Sequence, residues 1–174
     1  MALMDPIGAY ADLDTSSLDY APDFSTAGVR SWLRTRKMVD LMDFWNEARG
    51  ARRCPGLDEI DHASVPLLAS WLVVVARPVV GGESIVRYAG RRIIDLAGID
   101  ITGRPISNLP DPDYRRMFQE NTDTVIRAGM PLASRYRRVL RGCPYEFERL
   151  DLPLTLESGR VGAVLVGMFA TLAV

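Results

Sequence analysis

The chain has 174 residues, 48% hydrophobic and 25% charged, with a net charge of -1. That length suits one domain with an ordinary core, and the near-neutral charge argues against general affinity for nucleic acid or an anionic membrane. Two cysteines, Cys54 and Cys143, are too few for a disulfide framework and lie outside any CxxC motif, so both are expected as free thiols in a reducing compartment.

Residues 1–30 read as a flexible acidic leader. Met1 to Gly28 holds five aspartates and no basic residue, which also excludes the basic start of a secretion signal. Residues 31–50 read as an amphipathic helix, with Ser31 as a cap and Gly50 as the stop. Met38, Leu41, Met42, Trp45 and Ala48 share one helical face, and Trp32, Leu33, Val39 and Phe44 widen it. A helix this broadly apolar needs more than one partner surface. Part is expected on its own sheet, and Trp32, Val39, Met42 and Trp45 are the candidate contacts to a second subunit or another protein. The arginines around this helix are offset by Asp40, Asp43 and Glu47 and read as a solvated face.

Residues 51–174 read as the main domain. Asp58, Glu59 and Asp61 look like a solvated turn, and His62, the lone histidine, has a surface or capping role. Trp71 to Ala97 then reads as strand, turn, strand and short helix. Val73, Val74 and Val75 are β-branched and favour a pleated surface, and Gly81-Gly82 tolerates a tight turn. Asp111 can cap a helix that opens with Pro112 and closes at Gly129, with Phe118 inward. Three strands follow. In Leu132 to Leu140, Ser134, Tyr136, Arg138 and Leu140 share one face while Arg135, Arg137 and Val139 take the other. Tyr145 to Leu156 is next, with Phe147 and Leu152 inward and an interruption at Pro153. Val161 to Val174 is a central strand, and its fourteen residues are too few for a membrane helix. No membrane insertion is expected, and the cytoplasm is the expected location.

The order strand-strand, helices, strand-strand-strand resembles the PAS domain family. The segments FWNEARG, WLVVVARP, IVRYAG, RRIIDLAGIDITGRPISNL and LDLPLTLESGRVGAVLVGM carry the likeness. More narrowly, the chain resembles the compact stand-alone PAS proteins of alphaproteobacteria. Gly98, Asp100, Thr102, Gly103 and Arg104 match a segment that in the family joins the small helices to the next helix. The resemblance implies an α+β fold: a five-stranded antiparallel sheet, small helices over one face enclosing a cavity, and a long N-terminal helix outside the core. It also implies binding of haem, flavin or a small organic ligand, or a ligand-free role in dimerisation. The outer helix commonly forms the dimer contact.

The cofactor stays unknown. Haem is not expected, because the helix after Asp111 has no histidine. Covalent flavin is not expected, because neither cysteine sits in an Asn-Cys-Arg context. No metal site and no catalytic constellation is visible. The candidate cavity residues are Tyr88, Arg104, Phe118, Tyr136 and Met168. Arg104 has the fork to pair with an acidic ligand, or it bonds Asp100; the aromatics either line the cavity or fill it.

The resulting expectation is a non-catalytic signalling sensor or regulatory domain. It binds a small ligand or a protein partner, forms a homodimer, and signals through the N-terminal helix to a separate protein. The alternatives are a ligand-free interaction module and, after that, a small-molecule enzyme of a related α+β cavity fold.

Overall fold

A computed structural model describes residues 12–60 and 68–173. His62 and Asp61 lie outside the described residues. The elements are β1 (Asp12–Tyr20), α1 (Thr26–Trp32), α2 (Arg36–Arg49), β2 (Leu72–Ala76), β3 (Ile85–Ala89), α3 (Arg91–Ala97), α4 (Pro112–Ala128), β4 (Leu132–Leu140), β5 (Cys143–Thr155) and β6 (Val161–Leu172). The strands form one antiparallel sheet in the order β1-β4-β5-β6-β2-β3. The α+β class is as expected, but the sheet has six strands rather than five.

The sixth strand is β1, in the stretch expected to be a flexible leader. Its sequence DLDTSSLDY lacks the β-branched and aromatic density of an ordinary strand. Its partner explains it. The register sets Asp14 opposite Arg137 and Asp19 opposite Arg135, an acidic strand against a basic one. Ser17 Oγ accepts from the Arg137 amide at 2.8 Å. Hydrogen bonds from Ser16 hold the Asp14 carboxyl below its usual pKa, and Arg137 adds to this.

The expected single helix from Ser31 to Arg49 is two helices. The chain extends at Leu33 and Thr35, and Thr35 caps α2. The cause lies on β5. The Glu148 carboxylate accepts from the amides of Arg34 (2.9 Å) and Thr35 (2.8 Å) and from the Thr35 hydroxyl (2.8 Å). A carboxylate beside a helix N-terminus is favourable, and it pins the α1–α2 corner to the sheet. Arg135 Nε completes the cluster, 3.1 Å from Glu148.

Each face of the sheet carries its own core. On one face α2 buries Met38, Leu41, Met42 and Trp45 against Leu150, Leu152, Leu154 and Leu165. Gly167 permits this approach, because a Cβ there would collide with Cδ2 of Leu41. Pro153 lies inside β5, past the end of its pairing with β4, so its missing N–H disrupts no ladder. Its carbonyl accepts from Trp45 Nε1 at 2.9 Å. On the other face lie α3 and α4. Asp111 Oδ1 caps α4 by accepting from the amides of Asp113 and Tyr114, with Pro112 opening the helix as expected. Phe147 and Leu152 are both buried but on opposite faces, because both faces are covered.

Candidate functional site

A cavity of about 60 Å³ lies between the sheet and the cover formed by α3, the loop after it and α4. Ile93 and Leu96 of α3, Ile101 of the loop and Phe118 of α4 line it from the cover; Phe147 of β5 and Met168 of β6 line it from the sheet. The surround is almost wholly apolar. Its polar members are Asp111, Tyr114 and Arg138. The cover is uneven: α4 buries six residues, whereas α3 buries none and leaves Ile93, Ile94, Leu96 and Ala97 half-buried.

On the same face as Phe147, and next to the cavity, β5 carries Arg149 and Asp151. Both are fully buried and joined through Nε and Nη2 at 2.9 Å. Arg149 lies 4.0 Å from the Phe118 ring centre, and its Nη1 is 3.3 Å from the Tyr114 hydroxyl. That hydroxyl donates to Met168 Sδ at 3.1 Å. Burial opposes the charge on Arg149, but the Asp151 carboxylate together with Tyr114 and Tyr136 outweighs it and raises its pKa well above the ordinary value. Burial likewise pushes the Tyr136 hydroxyl upward. Both shifts lead away from neutrality, so neither group is poised as an acid or base there. The buried Cys54 thiol is also pushed up by burial, away from the reactive thiolate.

Of the residues expected at the cavity, Phe118 and Met168 line it. Tyr136 sits in the same core, stacked on Phe147 with ring centres 5.3 Å apart. Tyr88 does not belong: it packs on the α2 face and donates its hydroxyl to the Ala69 carbonyl at 2.9 Å. The reason is an irregularity in β3. Val75 pairs with Val86 but Val74 pairs with Tyr88, so the extra residue between them turns Tyr88 to the opposite face. Arg104 does not belong either. Its side chain is exposed, and its carbonyl accepts from the Val86 amide at 2.9 Å, so the Thr102-Gly103-Arg104 turn serves to lay the chain along β3.

The proposed contact residues also divide. Met42 and Trp45 are buried against their own sheet and present nothing to a second molecule. Trp32 and Val39 remain half-buried, with Arg135 over the Trp32 ring at 3.6 Å. Arg138, Tyr114, Arg149 and Asp151 were not singled out. Strand alternation carried the signal for Arg138, which shares a face with Tyr136. Among the described residues no group of three His, Cys, Asp or Glu side chains is placed to hold a metal, and no helix is long and apolar enough to cross a membrane.

A sheet with a cavity under small helices on one face, matched by the family model described as PAS domain over residues 33–169, defines the class: the chain belongs to the PAS domain family. It is a PAS-type sensor or regulatory module, a kind of domain that is typically non-catalytic. The solved complex of Vibrio cholera VqmA with ligand and DNA is similar to it in fold. The two share 16% identity and a TM-score of 0.50 over 64% of this chain, and the match spans about half (51%) of the VqmA chain. A light-oxygen-voltage domain with a flavin analogue matches at 14% identity and a TM-score of 0.48, over 63% of this chain and 82% of its own. The dark structure of the Aureochrome1 LOV domain matches at 14% and 0.45, over 63% and 80%. No curated protein matches the chain in sequence.

Proposed function

We propose that this PAS domain is a non-catalytic sensor in which a small organic ligand occupies the cavity under α3 and α4. The sheet passes the change to α1 and α2 on its other face. One observation carries this reading: an apolar cavity is closed by a helix with no buried side chain, so the wall that must yield to a ligand is the weakest one. β5 supplies the route. Arg149 touches Phe118 and Tyr114 of the cavity lining, while the alternating Glu148 and Leu150 hold the α1–α2 corner and α2. A shift of β5 is therefore felt on both faces. Output goes to a separate protein in the cytoplasm, in the manner of the stand-alone PAS proteins of alphaproteobacteria, with Trp32 and Val39 as the contact to a partner or a second copy.

A second reading, a ligand-free interaction module, is favoured by the cavity's size. At about 60 Å³ it is far smaller than the roughly 300 Å³ at the lower end of drug-sized pockets. Native mass spectrometry of protein purified without added ligand, followed by a denaturing run, separates the two. Extra mass lost on denaturation supports the sensor. A chain or dimer of bare mass, with α3 unchanged when cell extract metabolites are added, supports the interaction module.

A further inference from the structure

We infer that the cavity's ligand is a small monocarboxylate with an apolar body, its anionic end held by Arg138. This rests on the cavity being a ligand site, and it adds the chemistry of what enters.

β4 and β5 carry three arginines held largely away from water. Arg149 has Asp151, and Arg135 has Glu148. Arg138 is only 6% exposed and has no carboxylate partner among the described residues. Its Nε has no hydrogen-bond acceptor. A guanidinium keeps its charge in proteins, and a buried charge without a counter-ion is costly. The site is therefore half of an ion pair.

Its geometry says what completes it. The Tyr114 ring centre lies 3.4 Å from the Arg138 guanidinium carbon, and the Phe147 ring centre 5.8 Å. Stacking occupies the face of the planar group. The N–H donors lie in its plane and stay available as a two-pronged fork, the shape that matches a carboxylate. Asp111, the acidic residue of the lining, does not fill this role. Its oxygens accept from the amides of Leu13 (3.2 Å), Asp113 (3.0 Å) and Tyr114 (3.3 Å). Asp111 also limits the ligand's charge. A phosphate dianion would bring two charges to one guanidinium beside an existing carboxylate, whereas a carboxylate balances Arg138 one for one. The remaining lining, from Ile93 and Leu96 to Phe118 and Met168, demands an apolar body. The small volume demands a short one, an acyl chain of a few carbons or a single ring.

The test uses hexanoate and its neutral analogue hexanamide, titrated into the full chain and followed by amide chemical shifts. Hexanoate is expected to shift α3, α4 and β4 and to bind about tenfold more tightly than hexanamide, because its carboxylate pairs the Arg138 charge through both prongs of the fork whereas the amide offers one neutral acceptor. Arg138→Met is expected to erase that preference, so that the two probes bind alike; Arg138→Lys, charged but without the fork, is expected to retain part of it. Should Arg138→Met fail to fold, the two probes on the unaltered chain decide the matter. Equal affinity for both probes overturns the carboxylate assignment and leaves the sensor reading standing. Hexanoate shifts confined to α1 and α2, or no binding of either probe, overturn it as well. The sensor reading is then judged separately by the native mass.

Discussion

The helices on the two faces of the sheet are held in opposite ways. α2 buries four large side chains, is capped by Thr35, which Glu148 of β5 holds in place, and is stitched to β5 by the bond from Trp45 to Pro153. α3 has four apolar residues in seven, yet buries none of them, and hangs from the sheet by backbone contacts such as the Gly90 amide to the Leu72 carbonyl at 2.8 Å. Hydrophobic content alone therefore does not tell how firmly a helix sits. What matters is whether its side chains reach a surface shaped to receive them, as Gly167 receives Leu41. α3 is thus the soft part of a cover whose other helix, α4, buries six residues.

That contrast can be broken experimentally. Trp45→Ala opens a large void on the α2 face and strands the Pro153 carbonyl; it is expected to cost about 3–5 kcal/mol in urea unfolding. Asp151→Asn leaves Arg149 buried without its counter-charge and is expected to cost about 3 kcal/mol, whereas replacing both by apolar residues restores most of the loss. Thr35→Ala removes the cap of α2 and is expected to cost about 1 kcal/mol. Leu96→Ala on α3 is expected to cost less than about 1 kcal/mol, because its side chain is already half in water. Amide exchange is expected to be faster in α3 than in α2. A Leu96→Ala cost equal to that of Trp45→Ala would abolish the contrast.

The smallest effect is acidic. Hydrogen bonds from Arg30 lower the pKa of Asp43, with slight burial opposing, and this pair ties α1 to α2. A lowered carboxyl pKa adds stability above the unfolded-state value of about 4, and the gain is lost as pH falls through the lower folded-state value. Asp43→Asn is expected to flatten the acid limb of the stability curve slightly, since both partners are about half exposed and screened.

The elements that could be read from sequence are those whose cause is local. Valines made β2, and Asp111, Pro112 and Gly129 bounded α4. The elements missed have distant causes. β1 is a strand because β4 is rich in arginine, and the chain breaks between α1 and α2 because Glu148, more than a hundred residues away, accepts from the amides of Arg34 and Thr35 there. The same division runs through the cavity. Phe118 and Met168, expected there from the family resemblance, line it. Tyr88 was lost to one extra residue in β3, which no periodicity announces. The apolar face of α2 marks Met42 and Trp45 for burial, but such a pattern does not say what does the covering: expected at a partner, they lie against their own sheet.

β1 lies wholly outside the stretch matched by the family model. It pairs along β4, its Leu13 amide reaches Asp111, and its Tyr20 hydroxyl donates to Asn121 at 2.7 Å, so one strand clasps α4 at its start and near its middle. A fragment trimmed to residues 33–169 would bare the edge of β4, a row of open donors and acceptors that templates pairing with a second copy. Such a fragment would self-associate through a seam that the full chain keeps closed, and its dimer would be a product of the scissors.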